Sequence, residues 1–205
     1  TQSNDNLGYQ NLPSPVNGSV TGAFTIDADK NVWYTNWIFQ QGGVLVKFDQ
    51  EGYRNSIAKV DGNSLSVLDY IKIFQLPFEL LTPNGIDVSD SGMIWLADTS
   101  NSAVFNFDPV TQQFTQYVTS DPKPSTYGNS TGVIKSPISR PYWIKTNSDG
   151  QLVFNEQTAN NIAILDPKSE SLVEYMVPSK NPSWGDCDNI TDCGLAQVFD
   201  FTIND

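Results

Sequence analysis

The chain repeats itself, and the period limits what it can fold into. Three segments, FTIDADKNVWYTN from Phe24, IDVSDSGMIWLAD from Ile86 and IKTNSDGQLVFNE from Ile144, share one order: apolar run, polar turn, apolar run, polar residue. After a variable loop each is followed by a third apolar run ending in Asp, at Asp49, Asp108 and Asp166. Successive aspartates lie 59 and 58 residues apart, and the anchors Trp33, Trp95 and Val153 give 62 and 58. Two independent anchors agree. A period of this size belongs to architectures in which one supersecondary unit stacks on copies of itself.

A fourth run closes each unit, YIKIFQLP to Pro77, FTQYVTSDP to Pro122 and LVEYMVP to Pro178. Four short runs joined by Asp, Asn, Gly and Ser turns, with no helical period between them, predict four antiparallel strands per unit. That is the sequence form of a β-propeller blade, so the fold class is all-β. Blades are expected over 21–77, 78–135 and 136–180, with an incomplete fourth over 181–205 whose VFDFTIND matches a first strand, and an extended segment over 1–20. About 3.5 blades fall short of the roughly four to eight that close a ring. The expectation is therefore a partial propeller, completed by further chain or by a protein partner.

Composition narrows the function classes. Eleven Lys plus Arg against 23 Asp plus Glu leave a net charge of −12, which disfavours nucleic acid and anionic membrane surfaces. There is no apolar run long enough to insert into a bilayer. The chain has no His, so neither Ser-His-Asp nor Cys-His chemistry can be assembled from it. Cys187 and Cys193 lack CxxC spacing and His company, and a disulfide between them suits an extracellular or cell-surface setting. Closing so small a loop stabilises by about 2.4 kcal/mol in the chain-entropy picture. Three Asn-x-Ser/Thr sequons, at Asn17, Asn129 and Asn189, fall in expected loops, although Asn, Ser and Thr are common enough to produce that number by chance.

Asn36, Asp98 and Glu156 follow the second strand of successive units, so pseudo-rotational symmetry places them in a partial ring at one channel rim. With two carboxylates, Asp98 and Glu156, such a ring can hold Mg²⁺ or Ca²⁺ through oxygen ligands; alternatively each side chain caps a local turn. The DADKN run at Asp27 resembles a calcium loop in outline but lacks its Gly and its closing Glu, and reads as a hairpin turn. Trp33, Tyr34, Trp95 and Phe154 recur at period two and are expected in the core. Trp37, Phe39, Tyr142 and Trp143 are less regular, and a ligand-contacting aromatic is sought among these.

The stretches PNGIDVSDSGMIWLADTSNSAVFNFDP, VFNE, ANNIAILDP and VEY resemble the repeats of streptogramin (virginiamycin B) lyase-like propellers. NVWYTNWIFQQGGVLVKFD, PISRPYWIK and the segment from NPSWGDC to CGLAQVFDFT look more particularly like extracytoplasmic members of that group from ammonia-oxidising archaea. The resemblance implies a β-propeller and, for the enzymes, a Mg²⁺-dependent ring-opening elimination by His and Glu at the channel mouth. The tetrapeptide matching the family's Pro-His-Gly-Ile is Pro83-Asn84-Gly85-Ile86, so Asn84 stands where a base belongs, and an amide cannot take up a proton near neutrality. The family's Glu is matched by Asn36, Asp98 and Glu156 in turn. The rim set is thus Asn36, Asn84, Asp98, Tyr142 and Glu156. A rim position argues against the burial that would raise a carboxyl pKa enough to replace the base. These residues imply a non-catalytic binding or scaffolding module. The alternatives are a Mg²⁺-dependent lyase with its acid-base groups outside this segment, and a structural module of a cell-envelope or membrane-enzyme assembly.

Overall fold

The computed structural model describes residues 12, 14–39, 41–57, 66–128 and 138–204. They form three four-stranded antiparallel sheets, each in simple sequential order. The first holds β1 (Val20–Ile26), β2 (Val32–Ile38), β3 (Gly42–Phe48) and β4 (Ile71–Gln75). The second holds β5 (Pro83–Val88), β6 (Ile94–Asp98), β7 (Ala103–Asp108) and β8 (Gln113–Val118), and the third β9 (Pro141–Thr146), β10 (Leu152–Glu156), β11 (Asn161–Asp166) and β12 (Ser171–Met176). These are three blades of a partial β-propeller. β1 packs beside β5 and β5 beside β9, so the first strand of each blade lies innermost.

Local chemistry sets the strands. Lys30, Gly92 and Gly150 take positive φ in the first hairpin of each blade, and Gln112 and Glu170 do so before the fourth strands. Asp108 and Asp166 accept hydrogen bonds from the backbone N–H groups of Val110 and Lys168, fixing the turns that the Asp-Pro pairs signal. Period-two alternation then sends each strand's side chains to two different neighbours. Trp33 and Leu45 pack on Ile94, Leu96, Phe105 and Phe107 across the first joint. Trp95, Ala97 and Val104 pack on Leu152, Phe154 and Ala163 across the second. The core therefore lies between blades, as it must when each sheet is too thin to bury its own faces.

Two expectations need amendment. The insertion after Asp49 contains a helix, α1 (Gln50–Ile57), whose start is capped by Asp49 Oδ1 accepting from Gly52 N at 2.7 Å. Residues 198–204, expected as the opening strand of a fourth blade, belong to no sheet. An inner strand takes its ladder from the second strand of its own blade, and no such strand accompanies them among the described residues.

Candidate functional site

The inner strands meet at a bulge repeated in every blade. Register shifts between Thr21 and Phe24 in β1, between Pro83 and Gly85 in β5, and between Phe154 and Glu156 where β10 faces β9. Bulges bend a strand and re-aim its side chains. Here they let neighbouring inner strands approach so closely that a Cβ on Gly85 would stand 2.2 Å from the carbonyl oxygen of Tyr142. The same end of each blade carries a link to the next. Thr35 Oγ1 donates to the Pro83 carbonyl at 2.8 Å, Thr99 Oγ1 to the Pro141 carbonyl at 3.0 Å, and Asn155 Nδ2 to the Val198 carbonyl. Val198 thus receives the bond that the first residues of β5 and β9 receive.

Asn36, Asp98 and Glu156 occupy equivalent ends of β2, β6 and β10, as the repeat predicts, but none of them faces a rim. Their relative exposures are 0%, 0% and 1%. Asn36 Oδ1 accepts from Val16 N at 3.0 Å and from the Ser14 and Ser19 hydroxyls at 3.1 and 2.9 Å. Asp98 accepts from the backbone N–H groups of Leu81, Thr82 and Ser100 at 3.0, 2.9 and 3.1 Å. Both turn back to hold the loop leading into their own blade's inner strand. The solvent-facing ring gives way to local capping, because unpaired backbone donors beside the bulge are the nearest groups each side chain can satisfy.

Glu156 fills the same position with a longer side chain and fewer donors. Its Oε2 accepts from Asn161 Nδ2 at 3.1 Å, while Oε1 is buried without a partner. Burial, reinforced by the negative charge of Glu174, pushes its carboxyl up to about 7, against the Asn161 hydrogen bond and the nearby Thr119 and Ser139 hydroxyls, which bond each other. The expectation of an ordinary rim carboxylate is therefore corrected. Burial also raises Asp98, in spite of its three backbone bonds.

Asp98 and Glu156 do not fit a Mg²⁺ or Ca²⁺ site as they stand. Asp98 has both oxygens committed to backbone donors, and among the described residues no three acidic, His or Cys side chains gather closely enough to hold a metal. Asn84 is half-buried and donates to Thr99 Oγ1 at 2.9 Å. Tyr142 is half-buried, with its ring edge-on to Phe199 at 6.1 Å. Cys187 and Cys193 are joined, with Cα atoms 5.5 Å apart. Asn17 and Asn189 are exposed, and Asn129 lies outside the described residues. No described helix is long and apolar enough to cross a membrane.

Two features escape the motif reading. Asp87 Oδ2 accepts from Thr146 N at 2.7 Å and Thr146 Oγ1 at 3.0 Å, with Lys145 Nζ 3.6 Å from Oδ1, tying β5 to β9. Thr25, Asp87 and Lys145 are equivalent in the repeat, so opposite charges at matching positions are a signal visible in the aligned units. The second feature is the contrast between Lys47 and Asn106, equivalent third-strand positions with different surroundings.

No family model matches the sequence, and no curated protein matches it. Solved structures do. Selenomethionine-substituted virginiamycin B lyase from Staphylococcus aureus is similar with a TM-score of 0.55 and 19% identity, over 81% of this chain and 44% of that one. A streptogramin B lyase gives 0.52 and 19%, over 82% and 43%. A catalytically inactive His-to-Ala form of the S. aureus lyase with quinupristin gives 0.52 and 17%, over 80% and 44%. The chain spans less than half the length of these structures. What it shares with them is the fold, a run of propeller blades of the kind seen in streptogramin lyases.

Proposed function

We propose that this chain is a non-catalytic, extracytoplasmic propeller module that binds or scaffolds another polypeptide, whether a separate partner or further repeats of the same kind. The observation that carries this reading is the burial of Asn36, Asp98 and Glu156. A general base must come within hydrogen-bond reach of the proton it takes, and these side chains are walled off, Asn36 and Asp98 by capping backbone groups and Glu156 by burial. The surface supports a binding role. The face of blade one away from blade two exposes Phe24, Ile26 and Ile73, and the corresponding face of blade three exposes Val173 and Tyr175. Apolar groups in such rows are characteristic of interaction surfaces. The disulfide supports an oxidising, extracytoplasmic setting, as does the resemblance to extracytoplasmic archaeal proteins, and a place in a cell-envelope assembly follows the same logic.

A second reading, a Mg²⁺-dependent lyase completed by groups outside this segment, is favoured by one observation, the Glu156 carboxyl near 7. The His-to-Ala form of the S. aureus enzyme is catalytically inactive, and since this chain has no His, this reading requires one from outside the segment. The test is incubation of the folded chain with quinupristin and Mg²⁺, with chromatographic separation of opened and closed rings. No ring opening is expected. Turnover that disappears in Glu156→Gln would overturn the binding-module reading.

A further inference from the structure

Blade two carries a cleft that blade one fills with its own side chains. In blade one the indole N–H of Trp33 donates to Asp27 Oδ2 at 2.8 Å, and Lys47 Nζ sits 5.3 Å from the centre of the same ring. Burial acts to raise Asp27, but the hydrogen bonds from Trp33 and Asn31 prevail and hold its carboxyl below the usual range. The equivalent positions in blade two are Trp95, Ser89 and Asn106. Ser89 is too short to reach the ring and bonds to Ser91 and Met93 instead. Asn106 replaces the Lys. The result is an open cleft of about 380 Å³ between blades two and three, floored by Trp95, Tyr117 and Met93.

Two polar side chains, Trp95 and Asn106, line this cleft and make no side-chain hydrogen bond to another described residue. Trp95 is 2% exposed and Asn106 is 6% exposed. Both residues are covered over most of their surface but their polar atoms open into the cleft, so solvent meets them there and an entering ligand must offer matching groups in its place. Blade three offers no third version, since Val153 and Ile164 stand at the equivalent positions and carry no polar atom. Among the described residues, the second joint combines an aromatic floor with polar side-chain atoms that open into the cleft.

We propose that this cleft is a binding site for a neutral, hydroxyl-rich ligand of monosaccharide size. An indole N–H is a donor only, so the group that reaches the floor must be an acceptor, which excludes an ammonium. A carboxylate or phosphate would meet the exposed Asp90 and Asp149 at the mouth, and a chain of net charge −12. Lys168, also at the mouth, keeps the opening from being purely anionic. Hydroxyl, ring-ether or acetamido oxygens satisfy Trp95. The Asn106 amide, both donor and acceptor, pairs with a neighbouring hydroxyl, and the apolar face of a pyranose lies on Tyr117 and Met93. The volume falls within the range of roughly 300–1,000 Å³ usual for small-molecule sites. The site lies at the first-hairpin end of the joint and does not depend on partner binding across the free blade faces.

The experiment titrates the chain with N-acetyl-D-glucosamine, D-glucose and D-galactose, with D-gluconate as the anionic control. Saturation-transfer signals and the Trp95 indole N–H resonance are followed. At least one neutral sugar should show transfer and shift that resonance, while gluconate should do neither. The double variant Ser89→Asp, Asn106→Lys rebuilds the arrangement of blade one and should abolish binding without lowering the melting temperature. Asn106→Leu, which removes the amide alone, should weaken binding at least tenfold. The proposal is overturned if no neutral sugar binds, if only gluconate binds, or if binding survives the double variant.

Discussion

Glu156→Gln should change how stability depends on pH, and the structure gives the size of the change. The folded carboxyl titrates near 7 against an ordinary value of 4.5. The causes are burial first, then Glu174 on β12, opposed by Asn161 on β11 and by the Thr119 and Ser139 hydroxyls beside β8 and β9. A raised folded pKa means that folding takes up a proton. Its stabilising contribution is complete below about pH 4.5 and is lost as pH rises through 7. A difference of about 2.5 units corresponds to about 3 kcal/mol. For a chain of this length that translates into roughly 6–12 °C of melting temperature. Gln resembles the protonated acid and does not titrate, so the variant should melt near the wild type at pH 4.5 and roughly 6–12 °C above it at pH 8. Circular-dichroism melts at half-unit steps are sufficient, and the absence of His leaves the window from 5 to 8 free of other ordinary side-chain titrations. Asp98, also raised by burial, contributes its own loss of stability with rising pH, and does so equally in both proteins. If the wild type melts at one temperature from pH 5 to 8, or if the variant keeps the full slope, the account of Glu156 is wrong.

Two further outcomes are expected. Unreduced peptide mapping should show the Cys187–Cys193 peptide two daltons light, and the double Ser variant should lose about 2 kcal/mol in denaturant unfolding; two free thiols would refute both the bond and the oxidising setting. Gly85→Ala should lower stability by about 1–3 kcal/mol, because its Cβ would stand 2.2 Å from a backbone oxygen of the next inner strand, and an unchanged denaturation midpoint would contradict that close packing.

The blades were legible because their signals are local. Asp108 and Asp166 each bond the backbone two residues on, and Gly92 and Gly150 adopt the positive φ that their turns demand, so a one-dimensional pattern contains them. The core assignment of Trp33, Tyr34, Trp95 and Phe154 holds for the same reason, since alternation along a strand decides which side is covered. The rim residues were read to the right strand ends but in the wrong direction. Whether Asn36 points to solvent or back to Val16 N depends on a bulge and on orphan backbone donors, and neither leaves a period in the sequence. Helix α1 was hidden in a polar insertion containing Gly52, where propensity is weak and the Asp49 cap does the specifying. The cleft at Asn106 was present in the aligned units as the exchange of Lys47 for Asn. Its meaning required knowing that Asp27 satisfies Trp33 and that Ser89 cannot do the same for Trp95.

Thr35, Thr99 and Asn155 all donate to the same kind of partner, a main-chain carbonyl at the start of the next inner segment. A carbonyl is supplied by every amino acid, so the joint places no demand on the side chains of the blade it receives. A duplicated blade could be added to such a series and couple at once, and its sequence could afterwards drift without loosening the connection. Blade two lacks the Asp and Lys that seal its neighbour's tryptophan, yet it is still held on both sides. Inheritance of the joint is separated from inheritance of the surface, which lets one unit in a row of near copies acquire a chemistry of its own.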